Sequence, residues 1–231
     1  MKKNPLLLSM AMLCVAGASA QAASILFSTT QPTFGGLDIT QLSTGTIASG
    51  GDNANYIAYD RPVQGQTFTT VGAGDITSIT VKARNNWVEI DADAVITLRL
   101  STVTGTTLTP ILTQFATVPR AVVAASSGFA EWITFTLTNP LAVSAATVYG
   151  FDFGISSVAR PFDVYFEIDG AADSSYTGGS AYSSGVNSVG NTTLTARDTD
   201  RTFGVTIIPE PSAALLGGLG IMTLLVRRRR A

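Results

Sequence analysis

The sequence predicts an all-β fold, an antiparallel β-sandwich flanked by two terminal apolar segments. Residues 23–208 contain many short stretches in which apolar and polar residues alternate, which is the period of a half-buried strand. Threonine, valine, isoleucine and aromatic residues dominate these stretches, and Gly, Asn, Pro and Ser separate them. No stretch of useful length repeats apolar residues at helical spacing. We therefore predict about eight to ten strands in a jelly-roll-like sandwich.

The N-terminal residues have the pattern of a secretory signal peptide. Two lysines precede an apolar stretch, residues 6–18, and two overlapping Ala-x-Ala cleavage patterns follow it. The stretch is too short to cross a bilayer as a helix, so we predict that residues 1–22 are removed during export. Cys14 is the only cysteine of the chain and lies in this segment. The exported protein is therefore expected to have no disulfide and no thiolate chemistry.

The predicted strands recur in order along residues 23–208. They cover residues 24–30, 56–59, 65–71, 76–83, 95–100, 111–118, 132–137, 148–153, 164–168 and 203–207. Thr104-Gly105 and Asn139-Pro140 each predict a turn after a strand. Arg99 alternates with leucines and is expected to point away from the core, whereas Trp132 begins an alternating strand and is expected to be a core residue.

The predicted exported region is acidic. The chain has 14 Lys and Arg and 16 Asp and Glu, and the terminal segments contain six of the basic residues and one of the acidic ones. Residues 23–208 therefore contain 8 basic and 15 acidic residues, with no run of Lys or Arg. Such a surface predicts no nucleic-acid partner. A neutral polysaccharide or a calcium-rich matrix is compatible with it.

The chain contains no histidine, which excludes Ser-His-Asp and Cys-His catalysis and imidazole-ligated zinc. Carboxylate chemistry stays open, because Glu89, Asp91 and Asp93 alternate and would share one face of an extended segment. Three readings apply to them: an acid/base pair of a glycosidase, the oxygen ligands of a calcium ion, or a charged hairpin edge that discourages aggregation. The acids of residues 169–173 and 198–200 are interpreted as turn residues.

Aromatic residues suggest a second kind of site. Trp87 follows Asn85 and Asn86 near a predicted strand end, which suits a glycan platform, with the ring against a sugar face and the amides at its hydroxyls. Packing in the core or at its rim is the competing interpretation, because tryptophan is mostly buried. Tyr176 and Tyr182 flank a Gly-Gly pair, in a loop that would present both rings.

The C-terminal residues combine a strand breaker, a short apolar segment and a basic end. Pro209, Glu210 and Pro211 come first, and the prolines cannot donate to a β-ladder. Residues 212–226 are uncharged and would form a helix about 22 Å long, shorter than a hydrocarbon core of about 30 Å. Four arginines then predict the cytoplasmic side of a membrane. They are Arg227, Arg228, Arg229 and Arg230.

This order resembles the PEP-CTERM sorting signal of Gram-negative bacteria. The resemblance implies that an exosortase, a membrane-embedded cysteine transpeptidase, recognises residues 209–231 and cuts off the tail as the protein leaves the inner membrane. Proteins of this kind commonly accompany exopolysaccharide and biofilm matrix. A short membrane anchor that is never cut is the alternative.

Residues 65–68, and the Phe-x-Leu and Thr-x-Tyr patterns between residues 135 and 149, resemble the sandwich ectodomains of exported bacterial surface proteins, which are similar to carbohydrate-binding jelly rolls. We therefore expect three parts: a signal peptide (1–22), a β-sandwich ectodomain (23–208) and a sorting signal (209–231). The expected function is that of a non-catalytic cell-surface or extracellular-matrix protein without a required cofactor. A carboxylate-dependent glycan-active enzyme, a glycosidase or lyase, is the alternative.

Overall fold

A computed structural model describes residues 23–44, 56–58, 62–84, 95–117, 131–157, 165–171, 176–185 and 190–209. Within these residues the chain forms antiparallel strands and no helix, which confirms the predicted all-β class. None of the described residues belongs to a helix that could cross a membrane. The predicted signal peptide, 1–22, and the predicted transmembrane helix, 212–226, lie outside the described residues.

The described part of the chain has fifteen strands, more than the eight to ten expected, because several Ser- and Gly-rich segments interpreted as loops contain short strands. In chain order they are β1 (Ser24–Ser28), β2 (Ile39–Gln41), β3 (Tyr56–Ala58), β4 (Val63–Thr69), β5 (Gly74–Arg84), β6 (Val95–Thr104), β7 (Thr107–Thr117), β8 (Glu131–Val143), β9 (Val148–Ser157), β10 (Tyr165–Ile168), β11 (Gly170–Ala171), β12 (Ala181–Ser184), β13 (Thr195–Ala196), β14 (Asp200–Arg201) and β15 (Phe203–Pro209).

Two large sheets pack face to face as a β-sandwich. One is seven-stranded, with the order β1-β8-β5-β10-β3, and β15 pairs with both β5 and β2. The other is six-stranded, with the order β13-β12-β4-β9-β6-β7, and β11 and β14 form a separate pair. Each long strand places alternate side chains between the sheets and on an outer face, so the alternation in the sequence determines which residues form the core.

One hydrophobic core fills the space between the sheets. It contains apolar residues from β5, β8 and β15 of one sheet and from β4, β6 and β9 of the other. The rings of Phe135 and Phe153 have centroids 4.6 Å apart, and those of Phe151 and Phe203 are 5.4 Å apart. All four rings are fully buried, and each such burial contributes roughly 1.5–3 kcal/mol. These aromatic pairs join the two sheets.

The turn predicted at Asn139-Pro140 is wrong. Strand β8 continues through both residues to Val143, and the chain turns afterwards, at residues 145–146. The pairing of β8 with β5 shifts register here, so Asn139 and Pro140 lie in a bulge without a partner in the ladder. A proline is tolerated at a bulge because its missing N–H is not needed there. The turn predicted at Thr104-Gly105 is confirmed, and Gly105 has a φ of 59°.

Trp132, which was predicted to be a core residue, is buried but lies outside the inter-sheet core. It pairs in register with Lys82 of β5 and Ser28 of β1, whereas the next residue, Ile133, belongs to the core. Strand alternation therefore places the indole on the outer face of the seven-stranded sheet. The alternating pattern identified the strand, but not which of its two faces would receive the tryptophan.

Candidate functional site

A buried polar cluster lies on the outer face of the six-stranded sheet. Its central members are Arg99 of β6, Asp152 of β9 and Tyr182 of β12, and we call them the Arg99 cluster. Arg99 and Asp152 are direct cross-strand partners, and Tyr182 is the partner of Gly65 on the strand between β12 and β9. Because the flanking residues of β6 and β9 are core leucines and phenylalanines, alternation sends all three side chains outward.

The three side chains bond to one another at short range. The Arg99 Nε lies 3.0 Å from Asp152 Oδ1, and the Arg99 Nη2 lies 2.6 Å from Asp152 Oδ2. The Tyr182 hydroxyl donates to the same Oδ2 at 2.9 Å. Hydrogen bonds between charged partners, above all the two-pronged arginine–carboxylate pair, are shorter and stronger than neutral ones. The cluster therefore ties β6, β9 and β12 together across four strands.

Arg99 points away from the core, as predicted, but not into solvent. Residues 190–194 pass over the guanidinium, and a Cβ on Gly190 would come within 2.6 Å of Arg99 Cζ. The Arg99 Nη1 donates to the carbonyl of Asn191 at 3.0 Å, and the Asn191 N–H donates to Ser184 Oγ at 3.2 Å. A second layer of chain thus covers the outer face of this sheet.

Backbone hydrogen bonds fix the covering segment to the hairpin of β6 and β7. The N–H of Leu108 donates to the carbonyl of Thr192 at 2.8 Å, and the N–H of Leu194 donates to the carbonyl of Thr106 at 3.0 Å. Leu108, Leu194 and Tyr182 then form a small second hydrophobic cluster. This layer removes water from the Arg99 cluster.

Burial changes the acid–base properties of the cluster. Desolvation raises the pKa of Asp152 above its usual value, while the hydrogen bonds from Arg99 and Tyr182 and the charge of Arg99 act in the opposite direction. Desolvation, and then the nearby Asp152 carboxylate, raise the pKa of Tyr182 well above 10.0. Tyr182 is therefore protonated at neutral pH and can donate to Asp152.

A second polar cluster lies on the core side of the same sheet. The Gln66 Nε2 donates to Asp200 Oδ1 at 3.1 Å, and the Tyr176 N–H donates to Asp200 Oδ2 at 2.8 Å. Arg201 donates from its backbone N–H to Gln66 Oε1 at 2.8 Å and from Nη2 to Gln64 Oε1 at 3.0 Å. Asp200 and Arg201 are both fully buried in β14, so the turn interpretation of Asp200 is wrong.

Asp169-Gly170 is not a turn either. The backbone of Asp169 continues the sheet, because its N–H donates to the carbonyl of Lys82 at 2.7 Å and its carbonyl accepts from Thr202 at 2.9 Å. The Asp169 carboxylate accepts from the Gly170 N–H at 2.9 Å and lies 3.7 Å from Lys82 Nζ. Asp169 links β10 to β11, and its short side chain accepts a hydrogen bond from the backbone N–H of Gly170, the first residue of β11.

The predicted presentation of Tyr182 in a loop is wrong, because Tyr182 is a fully buried residue of β12. Tyr176 is partly buried and packs edge-on against Phe203, with ring centroids 5.4 Å apart. Pro209 is the last residue of β15. The other predicted site residues lie outside the described residues: Asn85, Asn86, Trp87, Glu89, Asp91, Asp93, Glu210, Pro211, Arg227, Arg228, Arg229 and Arg230.

The role of Asp152 was not predicted from the sequence. A signal was present, since Asp152 stands in Gly150-Phe151-Asp152-Phe153-Gly154, between two phenylalanines and two glycines. An acid on the outer face of a strand whose two neighbouring outer positions are glycines has space above it for long side chains. Arg99 has the matching position on another strand, but no pattern in the sequence indicates that the two strands are neighbours.

The described residues contain no group of three or more His, Cys, Asp or Glu side chains with the spacing of a metal site. The polar atoms of the Arg99 cluster are directed at one another, so the arrangement neutralises and orients its own charges. The chain matches no protein-family model, and no curated protein is significantly similar to it in sequence. A functional proposal therefore depends on the sequence pattern and on the geometry.

Proposed function

We propose that the protein is a non-catalytic cell-surface or extracellular-matrix protein of a Gram-negative bacterium, exported by its signal peptide and sorted by an exosortase. The observation that carries the proposal is the position of Pro209. This residue is both the last residue of β15 and the first residue of Pro-Glu-Pro. The proposed sorting signal thus overlaps the end of β15 by one residue, an arrangement that suits a tail that can be detached.

The packing at this point supports a separable tail. Pro209 pairs in register with Gly74, and both Ile208 and Pro209 are exposed. A proline can take the last position of a strand because its carbonyl still accepts a hydrogen bond. Removal of the segment after Pro211 would leave every described member of the inter-sheet core in place, since the last of them is Ile207.

The acids inside the sandwich support a non-catalytic body. Asp152, Asp169 and Asp200 are buried and bonded to arginine, lysine or amide groups, so each has a structural partner. The alternative, a glycosidase or lyase, would place its carboxylates among Glu89, Asp91 and Asp93. The main proposal also includes binding of a glycan by Trp87, Asn85 and Asn86. The resemblance of the sequence to carbohydrate-binding jelly rolls motivates this addition.

Intact-mass analysis of the protein exported by its own host tests the sorting proposal. The expected mass lacks the segment after Pro211, and replacement of residues 209–211 by alanines should leave the tail attached. Replacement of the exposed Pro140 by alanine is the matched control and should leave processing unchanged. If the unaltered protein in the cell envelope still ended at Ala231, the processing proposal would be wrong and the tail would be a simple membrane anchor.

A glycan array, followed by a hydrolysis assay on each bound glycan, tests the rest of the proposal with the exported protein. Binding without hydrolysis is the expected result if the sandwich associates with exopolysaccharide. Turnover of a bound glycan, lost on replacement of Glu89 or Asp91 by the corresponding amide, would establish the enzymatic alternative instead.

A further inference from the structure

One end of the sandwich, at which β4, β8 and β15 end and β5 and β9 begin, presents apolar residues to solvent; we call it the Pro209 end. Val71 is 72% exposed, Ile208 is 55% exposed and Val148 is 37% exposed. Hydrogen bonds from the N–H of Thr70 to the carbonyl of Thr147 at 3.1 Å, and from the N–H of Ala146 to the carbonyl of Thr70 at 2.9 Å, hold two of its loops side by side.

The loops of the Pro209 end are almost free of charge. Five described loops of this end are residues 35–38, 71–73, 105–106, 144–147 and 177–180. Asp38 is the one charged residue in them, and its carboxylate accepts from the N–H groups of Gly35 at 2.6 Å and Ile207 at 2.9 Å. At the opposite end β5 stops and β6 begins, and the sequence between them contains Glu89, Asp91 and Asp93.

We infer that the Pro209 end rests on the outer surface of the inner-membrane bilayer while residues 212–226 are inserted in it. The inference builds on the proposed function, which supplies the inserted segment. From Pro209 to Ser212 the chain advances by three residues and can span at most about 11 Å. The Pro209 end therefore cannot move far from the lipid head groups before the tail is cut.

Because the apolar segment is short, the Pro209 end is expected to lie even closer to the bilayer. If residues 212–226 form the helix that the sequence predicts, it would be about 8 Å shorter than the hydrocarbon core of a typical bilayer. A span that is too short is accommodated by local thinning or by drawing the flanking residues towards the hydrocarbon. Both responses bring Glu210, Pro211 and the end of β15 down to the interface.

The chemistry of the Pro209 end suits the lipid interface. Valine and isoleucine suit the boundary between head groups and acyl chains, and the five loops named above carry no lysine or arginine that would require anionic lipid. Three apolar side chains would bind a vesicle weakly on their own. Because the inserted tail keeps them beside the surface, the contact is intramolecular and needs little intrinsic affinity.

Fluorescence quenching in reconstituted vesicles tests this orientation. The predicted exported form, residues 23–231, contains no cysteine and receives a single labelled cysteine by Val71→Cys or Ile208→Cys. Leu26→Cys is the matched control, because Leu26 is 64% exposed on the outer face of β1 and away from the Pro209 end. The vesicles are phosphatidylcholine containing a lipid with a nitroxide on its head group.

The expected result is strong quenching at positions 71 and 208 and little at position 26, independent of the protein-to-lipid ratio. Equal quenching at all three positions, or none at any, would overturn the inference while the anchor stands. Quenching that appears only at high protein density would indicate that the Pro209 end contacts a second copy of the chain, and this result would also overturn the inference. Failure of the unlabelled chain to float with the vesicles would overturn the anchor itself, and the inference with it.

Discussion

The ring of Tyr182 crosses strand β4 directly over Gly65. A Cβ on Gly65 would lie 2.6 Å from Tyr182 Cζ and 2.8 Å from Asp152 Cβ, and it would also collide with the carbonyl oxygen of Phe151. The absence of a side chain at position 65 is therefore what allows a tyrosine on β12 to reach an aspartate on β9. The Arg99 cluster depends on this glycine as much as on its charged members.

Gly65→Ala is expected to lower the free energy of unfolding by about 1–3 kcal/mol or more, because neither the Phe151 backbone nor the strand can move aside. Gly36→Ala is the control, since nothing lies within 4 Å of the added Cβ and the change should be small. Urea unfolding of both variants measures the difference. Equal stability of the two variants would show that the Tyr182 ring does not lie over Gly65 as described.

Removal of one partner of the buried Arg99–Asp152 pair should be costly. Arg99→Met leaves a buried carboxylate, and Asp152→Asn leaves a buried guanidinium, so each single change is expected to cost about 3–5 kcal/mol. The double variant should cost clearly less than the sum of the two, because the remaining uncompensated charge is gone. A double-mutant cycle from urea unfolding gives the coupling energy. Strictly additive costs would contradict the bonded geometry.

The Tyr182 hydroxyl should make stability fall at alkaline pH. The pKa of Tyr182 in the folded protein lies well above the ordinary value of 10.0. Above pH 10 the folded protein therefore keeps a proton that the unfolded chain loses, and the free energy of unfolding falls as the pH rises. For one proton the slope approaches about 1.4 kcal/mol per pH unit. Tyr182→Phe removes this titration, so its curve should be flatter than that of the unaltered protein. Parallel curves between pH 9 and about 11.5 would contradict a buried, protonated Tyr182.

The sequence was informative where a strand has one face in the core. Strands β4, β5, β6, β9 and β15 match the alternating stretches, because burial of one face imposes the period of two. It was uninformative where burial depends on a distant segment. Tyr182 and Ser184 lie in a four-residue strand among serines and glycines, and the layer that covers Arg99 comes from residues 190–194. Nothing local marks these residues as buried.

Removal of divalent cations should leave the stability of the protein nearly unchanged, because the strands supply their own core. The expected shift of the melting midpoint with EDTA is small at every protein concentration. A loss of more than about 10 °C would correspond to a few kcal/mol of linked binding. That outcome would assign calcium to Glu89, Asp91 and Asp93, and replacement of Asp91 by asparagine should then abolish the EDTA effect.

The two tryptophans should respond differently to truncation if Trp87 is a glycan platform. Trp132 is buried on the outer face of β8, so Trp132→Ala is expected to cost about 3–5 kcal/mol. An exposed Trp87 buries little area, so Trp87→Ala should change stability by only about 0.5 kcal/mol. The same substitution should abolish binding to any glycan that the array identifies. Thermal melts of both variants distinguish an exposed platform from a buried Trp87 before a ligand is known. If Trp87→Ala lost as much stability as Trp132→Ala, the platform hypothesis would be wrong.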